Sequence, residues 1–132
     1  MRERLAADIA AIVAGDVGRL SRLVATTHPE LAAAAATLQQ LSVRRSALAK
    51  VLEAWRDGNC TAGDVQRWAS FIRRGYISGG EVDPVRPIDI DYDARDEELI
   101  ATIIGRFDEI GDPIDGQVSV DEQREMLQEL QP

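Results

Sequence analysis

The residues whose type and spacing most readily suggest chemistry are the three carboxylates of Asp89-x-Asp91-x-Asp93. In an extended segment, residues two apart point to the same side, so these aspartates would form one acidic edge. Such an edge has two chemical uses. It could hold a metal ion, or it could pair with the arginines and lysines of a partner through charge-assisted hydrogen bonds. Neither a glycine-shaped loop nor a histidine stands beside it to complete a metal site, which leaves a solvated or partner-facing edge as the expected use. Asp83 precedes the run. The extended aspartates between Asp83 and Asp93 are where a charged working surface is expected.

The remaining reactive side chains offer little. Cys60 is the single cysteine and cannot form an internal disulfide; it reads as a small turn residue rather than a nucleophile. His28 is the single histidine and Pro29 follows it, which reads as entry into a helix. No Ser-His-Asp or Cys-His arrangement and no glycine-rich phosphate loop is present. No catalytic residue, metal ligand or cofactor is therefore expected, and the chain reads as non-enzymatic.

One string bears on calcium. Residues 111–122, GDPIDGQVSVDE, have the length of a twelve-residue calcium loop between two amphipathic patterns. Gly116 stands at the sixth position, where such a loop turns, and Asp115 at the fifth. Val118 stands at the apolar eighth and Glu122 at the twelfth, where a bidentate carboxylate belongs. The first and third ligand positions are Gly111 and Pro113, which carry no side-chain oxygen. The segment resembles a degenerate EF-hand, and a calcium-responsive helix-loop-helix is an alternative reading. The simpler one is a glycine turn followed by a capping box at Ser119 and Glu122.

Charge is the most uneven property. Residues 1–80 carry 11 basic and 7 acidic side chains, a net of +4, whereas residues 81–132 carry 4 basic and 16 acidic ones, a net of −12. An acidic surface repels phosphates, which excludes nucleic acid as its partner. It attracts and steers a basic protein instead. No apolar run approaches the roughly 20 residues of a membrane span. Met1-Arg2-Glu3-Arg4 opens a mixed-charge pattern rather than a signal-peptide core. No membrane association and a cytoplasmic location are expected; the pattern leaves the oligomeric state open.

The elements that must position these residues are helical. Leu5, Ile9, Ile12 and Val13 recur at helical spacing, and Gly15 then interrupts them. Asp16 is placed to cap a short helix carrying Val17, Leu20, Leu23 and Val24. Pro29 suits the first turn of the next helix. From there the periodicity implies either one helix to about Arg56 or two broken near Ser42. The alanine run Ala32–Ala36 would let another helix approach closely, so an oligomeric helical adaptor is a further alternative. Thr61 and Asp64 resemble a capping box for a helix with Val65, Trp68 and Ile72, closed by Gly75. Glycines and prolines break helical continuity over 76–93, and Ile88-Asp89-Ile90-Asp91-Tyr92-Asp93 alternates with period two, as one extended piece with no evident strand to pair with. Residues 94–110 and a final helix after Ser119 complete the pattern. The fold class expected for 132 residues is all-α, one domain of five or six helices with an irregular acidic segment near 76–93.

From Leu48 to Leu130 the chain resembles bacterial toxin-immunity proteins of the helical colicin-D-immunity type. The residues that carry the likeness are Leu52 to Trp55, Gly58, Thr61 to Ala69 (TAGDVQRWA), the helix with Leu99 and Ile103, and EIGDPIDGQVS before a last helix. The resemblance implies a non-enzymatic inhibitor that binds the toxic domain of a bacteriocin or contact-dependent effector. It implies a basic nuclease cleft, of a tRNase or another nuclease, covered by Asp83, Asp89, Asp91, Asp93, Asp96, Glu97 and Asp108.

Overall fold

A computed structural model describes residues 2–77, 87–112 and 116–131. The fold is all-α in class. Six α-helices are described: α1 (Arg2–Val13), α2 (His28–Ala35), α3 (Arg45–Arg56), α4 (Ala62–Arg74), α5 (Glu97–Asp108) and α6 (Val120–Leu130). Two 3₁₀ segments, Val17–Leu23 and Ala94–Asp96, precede α2 and α5. Helix α4 packs on α5, α3 on α6, and α1 on both α2 and the first 3₁₀ segment. Among the described residues, no helix is long and apolar enough to cross a membrane.

Helix ends follow local chemistry. Thr61 and Asp64 form a complete capping box: Thr61 Oγ1 accepts from the Asp64 amide at 3.1 Å, and Asp64 accepts from the Thr61 amide at 2.9 Å. Thr27 caps α2, with the Pro29 ring in its first turn, and His28 is buried at this entry. Asp16 departs from expectation. Its segment is a 3₁₀ turn, and its carboxylate holds Arg19 Nε at 3.0 Å instead of capping the backbone. Residues 94–96 also form a 3₁₀ turn before the α-helix proper begins.

The long periodic stretch divides where Ser42 stands, and what lies between α2 and α3 is a strand. β1 (Leu41–Val43) pairs in parallel with β2 (Ile90–Tyr92), Leu41 opposite Ile90 and Val43 opposite Tyr92. The acidic extended segment thus finds a partner that sequence periodicity assigned to a helix. Leu41 and Val43 are buried, and their two-residue alternation fits a strand, whereas residues two apart do not share a face of a helix.

A single cluster of buried side chains runs from Ala6 to Leu130. Trp68, Phe71 and Phe107 are its largest members. The Trp68 indole N–H donates to the Ile12 carbonyl at 2.7 Å, satisfying the one polar atom of a fully enclosed ring and fastening α4 to the end of α1. Trp55 sits further out and meets Phe107 edge-on, with ring centroids 6.5 Å apart. Ala34 is fully buried within the chain's own core. The alanine run therefore serves internal packing first; of its five members, Ala36 alone is exposed.

The end of α4 lies close to Ile88, two residues before β2. Gly75 ends α4 with φ +76°, and the Ile88 amide donates to its carbonyl at 2.9 Å. A Cβ at Gly75 would lie 2.4 Å from the Ile88 carbonyl oxygen. At Gly58, φ is +78° with nothing within 4 Å. Alanine at either site pays for the left-handed backbone, about 1–2 kcal/mol, but only Gly75→Ala must also displace the Ile88 backbone. Urea unfolding should show Gly75→Ala less stable than Gly58→Ala by at least roughly 1 kcal/mol. Equal losses would mean that Ile88 does not constrain the helix end.

Candidate partner-binding surface

The folded chain sorts the candidate carboxylates by what surrounds them. Asp83 lies outside the described residues. The side chain of Asp108, at the end of α5, is 7% exposed and serves as an internal hub. It accepts from Arg73 Nη1 at 2.9 Å, from Arg74 Nη1 at 3.1 and 3.2 Å, and from Gln66 Nε2 at 3.1 Å. A buried carboxylate needs such partners to keep its charge, so Asp108 is a structural residue rather than an open contact.

Asp96 is likewise committed. Its carboxylate takes the Arg45 guanidinium at the head of α3, and that hydrogen bond holds its pKa below the ordinary carboxylate value. Arg45 also donates to the Gln131 carbonyl at 3.0 Å, so the one guanidinium joins α3, the start of α5 and the end of α6. Asp93 caps the 3₁₀ turn by accepting from the Arg95 amide at 3.2 Å, and its own amide donates to the Val43 carbonyl at 2.8 Å.

Asp89, Asp91 and Glu97 remain exposed. Asp89 and Asp91 stand on the outer side of the β2 segment, while Ile88 is buried and Ile90 and Tyr92 are half-buried. This is the alternation expected of residues 88–93 except at Asp93, which is half-buried and drawn into its cap instead of facing solvent. Asp91 accepts from the Gln40 amide side chain beside β1. Among the described residues none of these three carboxylates makes an ion pair. Burial of the Tyr92 ring pushes its phenol pKa up.

A second acidic surface was not singled out from sequence. Glu109, Asp121, Glu122, Glu125 and Glu129 line a groove of about 750 Å³ between α5 and α6, over a floor that includes Ala101, Thr102 and Gly105. The helical spacing of 121, 122, 125 and 129 carries this face, but the same residues also read as ordinary first-turn and surface acids.

Glu122 is tied down inside this groove. Arg106 grips both its oxygens, Nε to Oε2 at 2.6 Å and Nη2 to Oε1 at 3.0 Å. Arg106 also donates to the Gln117 carbonyl at 2.7 Å. The Ser119 box is consequently half made: Ser119 Oγ accepts from the Glu122 amide at 3.1 Å while the Glu122 carboxylate turns to Arg106. Gly116 donates to the Asp112 carbonyl at 2.9 Å, and Gly111 to the Gly116 carbonyl at 3.2 Å. Residues 113–115 of the calcium-like string lie outside the described residues. A metal at this loop would have to take its bidentate ligand from Arg106.

The Cys60 thiol pKa is raised by burial and then by the nearby Asp64 carboxylate. Both effects disfavour the thiolate, the opposite of what a nucleophile needs. No protein-family model, curated protein or solved structure matches this chain.

The Arg106 bonds hold the Glu122 carboxyl below its usual pKa of 4.5. A depressed carboxylate stabilises the fold above the unfolded value, and that contribution is lost as pH falls through the folded one. Glu122→Gln should therefore cost about 0.5–1 kcal/mol at pH 7, measured by urea unfolding. The gap to wild type should close as pH drops below about 4. A gap unchanged at pH 3 would show that the pair contributes no pH-dependent stability.

Proposed function

We propose that this chain is a non-enzymatic acidic binding protein. Most concretely, it is an immunity protein that neutralises a bacterial nuclease toxin by covering its basic site. The observation that carries this reading is the division among the candidate carboxylates. Asp96 and Asp108 are compensated by arginines, whereas Asp89, Asp91 and Glu97 are exposed with no cationic partner among the described residues. Pairing with β1 holds Asp91 on a defined backbone, which lowers the entropy lost when a partner's arginines and lysines align with it. The net of −12 over residues 81–132 supplies long-range attraction toward a basic protein. The likeness of residues 48–130 to helical immunity proteins gives the class of partner. The reading places the protein in the cytoplasm, bound to a protein rather than to nucleic acid or membrane.

The test uses the full chain as bait at low and high salt in an extract of its source organism, followed by titration with the purified captured protein. Asp89→Lys combined with Asp91→Lys should weaken association roughly ten- to a hundredfold at low salt, and less at high salt. Glu125→Lys with Glu129→Lys reports separately on the α5–α6 groove. A captured partner with nuclease activity that the wild-type chain suppresses supports the immunity reading. Unchanged affinity in both double variants removes the acidic surfaces as the interface.

A further inference from the structure

A different part of the molecule carries a pocket. Between the first 3₁₀ segment and α4 lies a cleft of about 610 Å³, within the range of roughly 300–1,000 Å³ typical of small-molecule sites. Its two walls differ in chemistry. One wall is apolar: Val17, Leu20 and Val24 come from the 3₁₀ side, and Ile77 follows α4. Val24 is 70% exposed at this cleft, the most exposed large apolar residue among those described. The other wall presents Asp64, Gln66, Arg67, Ser70 and Arg74 of α4 with Asp108 of α5; Arg67, Ser70 and Arg74 share one face of the helix at spacings of three and four.

The charges around the cleft are held in place. Buried Asp108 takes both Arg73 and Arg74, and Arg74 Nη1 also reaches Ser70 Oγ at 2.9 Å. Asp64 is occupied by its capping box and by Arg67 Nη2 at 2.6 Å. The charged groups of the lining thus balance, Arg67 and Arg74 against Asp64 and Asp108, while Arg73, outside the lining, adds a third guanidinium to Asp108. A guanidinium has five N–H donors; among the described residues Arg74 donates through Nη1 alone and Arg67 through Nη2 alone. On the facing side, Asp8 of α1, 4% exposed, binds Arg19 at 3.4 Å and Arg22 at 3.2 Å. Those two cations are drawn toward α1, and the apolar residues of the 3₁₀ segment are left to line the cleft.

We propose that this cleft binds a small organic carboxylate with an apolar body, its carboxylate on Arg67 and Arg74 and its body against Val17, Leu20 and Val24. Planar guanidinium donors match a carboxylate's two oxygens. The gain from covering the apolar wall comes chiefly from Val24, because Val17 and Leu20 are each only 7% exposed. The proposal does not depend on the immunity reading.

The test is a two-dimensional amide NMR titration of the full chain with octanoate, with octanol as the neutral counterpart. Octanoate should shift the amides of residues 17–24 and 64–77 saturably, with half-saturation at or below about 5 mM. Octanol should bind at least roughly tenfold more weakly. Arg67→Gln and Val24→Asp alter exposed side chains and should leave the melting temperature near that of wild type while each weakens octanoate about tenfold. Absence of saturable shifts in those segments overturns the proposal. So do equal binding of octanol and octanoate, wild-type affinity in both variants, or shifts spread over the whole chain.

Discussion

Burying a carboxylate costs several kcal/mol unless cations and hydrogen bonds replace its water, and Asp108 imposes that constraint where α4 meets α5. Its solution is to collect Arg73, Arg74 and Gln66 from α4. The two helices are thereby joined at a fixed height by a polar contact that complements the apolar seam of Phe71, Ile104 and Phe107. From this junction two consequences spread. Arg74 is steadied on one wall of the cleft, and the helix end it belongs to runs through Gly75 to the Ile88 contact that begins the acidic edge. Helix pairing, cleft and edge thus share one anchor.

Much of the fold was legible in sequence for physical reasons. Helical faces such as Leu99, Ile100, Ile103, Ile104 and Phe107 repeat with a period that only a helix satisfies, and Thr61 with Asp64 marks a helix start through local bonds. What was not legible depends on distant partners. Leu41-Ser42-Val43 becomes a strand because residues 90–92 lie beside it, and nothing within a short window encodes that. Asp16 and Glu122 both stand where a cap is expected, yet each has an arginine within reach that competes for its carboxylate. Local propensity states what a residue can do, and tertiary neighbours decide which option wins.

The candidate surface was legible in the same partial way. Period-two alternation placed Asp89 and Asp91 outward. The sequence could not separate them from Asp96 and Asp108, because their compensating arginines, Arg45, Arg73 and Arg74, lie in the basic part of the chain. The two charge blocks are segregated along the chain but partly reunited in space. The net negative charge that faces outward is therefore smaller than the linear count implies, and it is displayed on β2, at the start of α5 and along α6.

The parallel pairing of residues 41–43 with residues 90–92 has a consequence for the order in which the molecule assembles. Parallel neighbours so far apart in the chain cannot form until the intervening helices have folded back, since the closure entropy of that long loop must be met first. During synthesis α1 to α4 are exposed before Ile90 has been made. The acidic edge is consequently expected among the later parts of the fold to form. A protein that recognises its backbone-held geometry distinguishes the finished molecule from its nascent or partly unfolded forms.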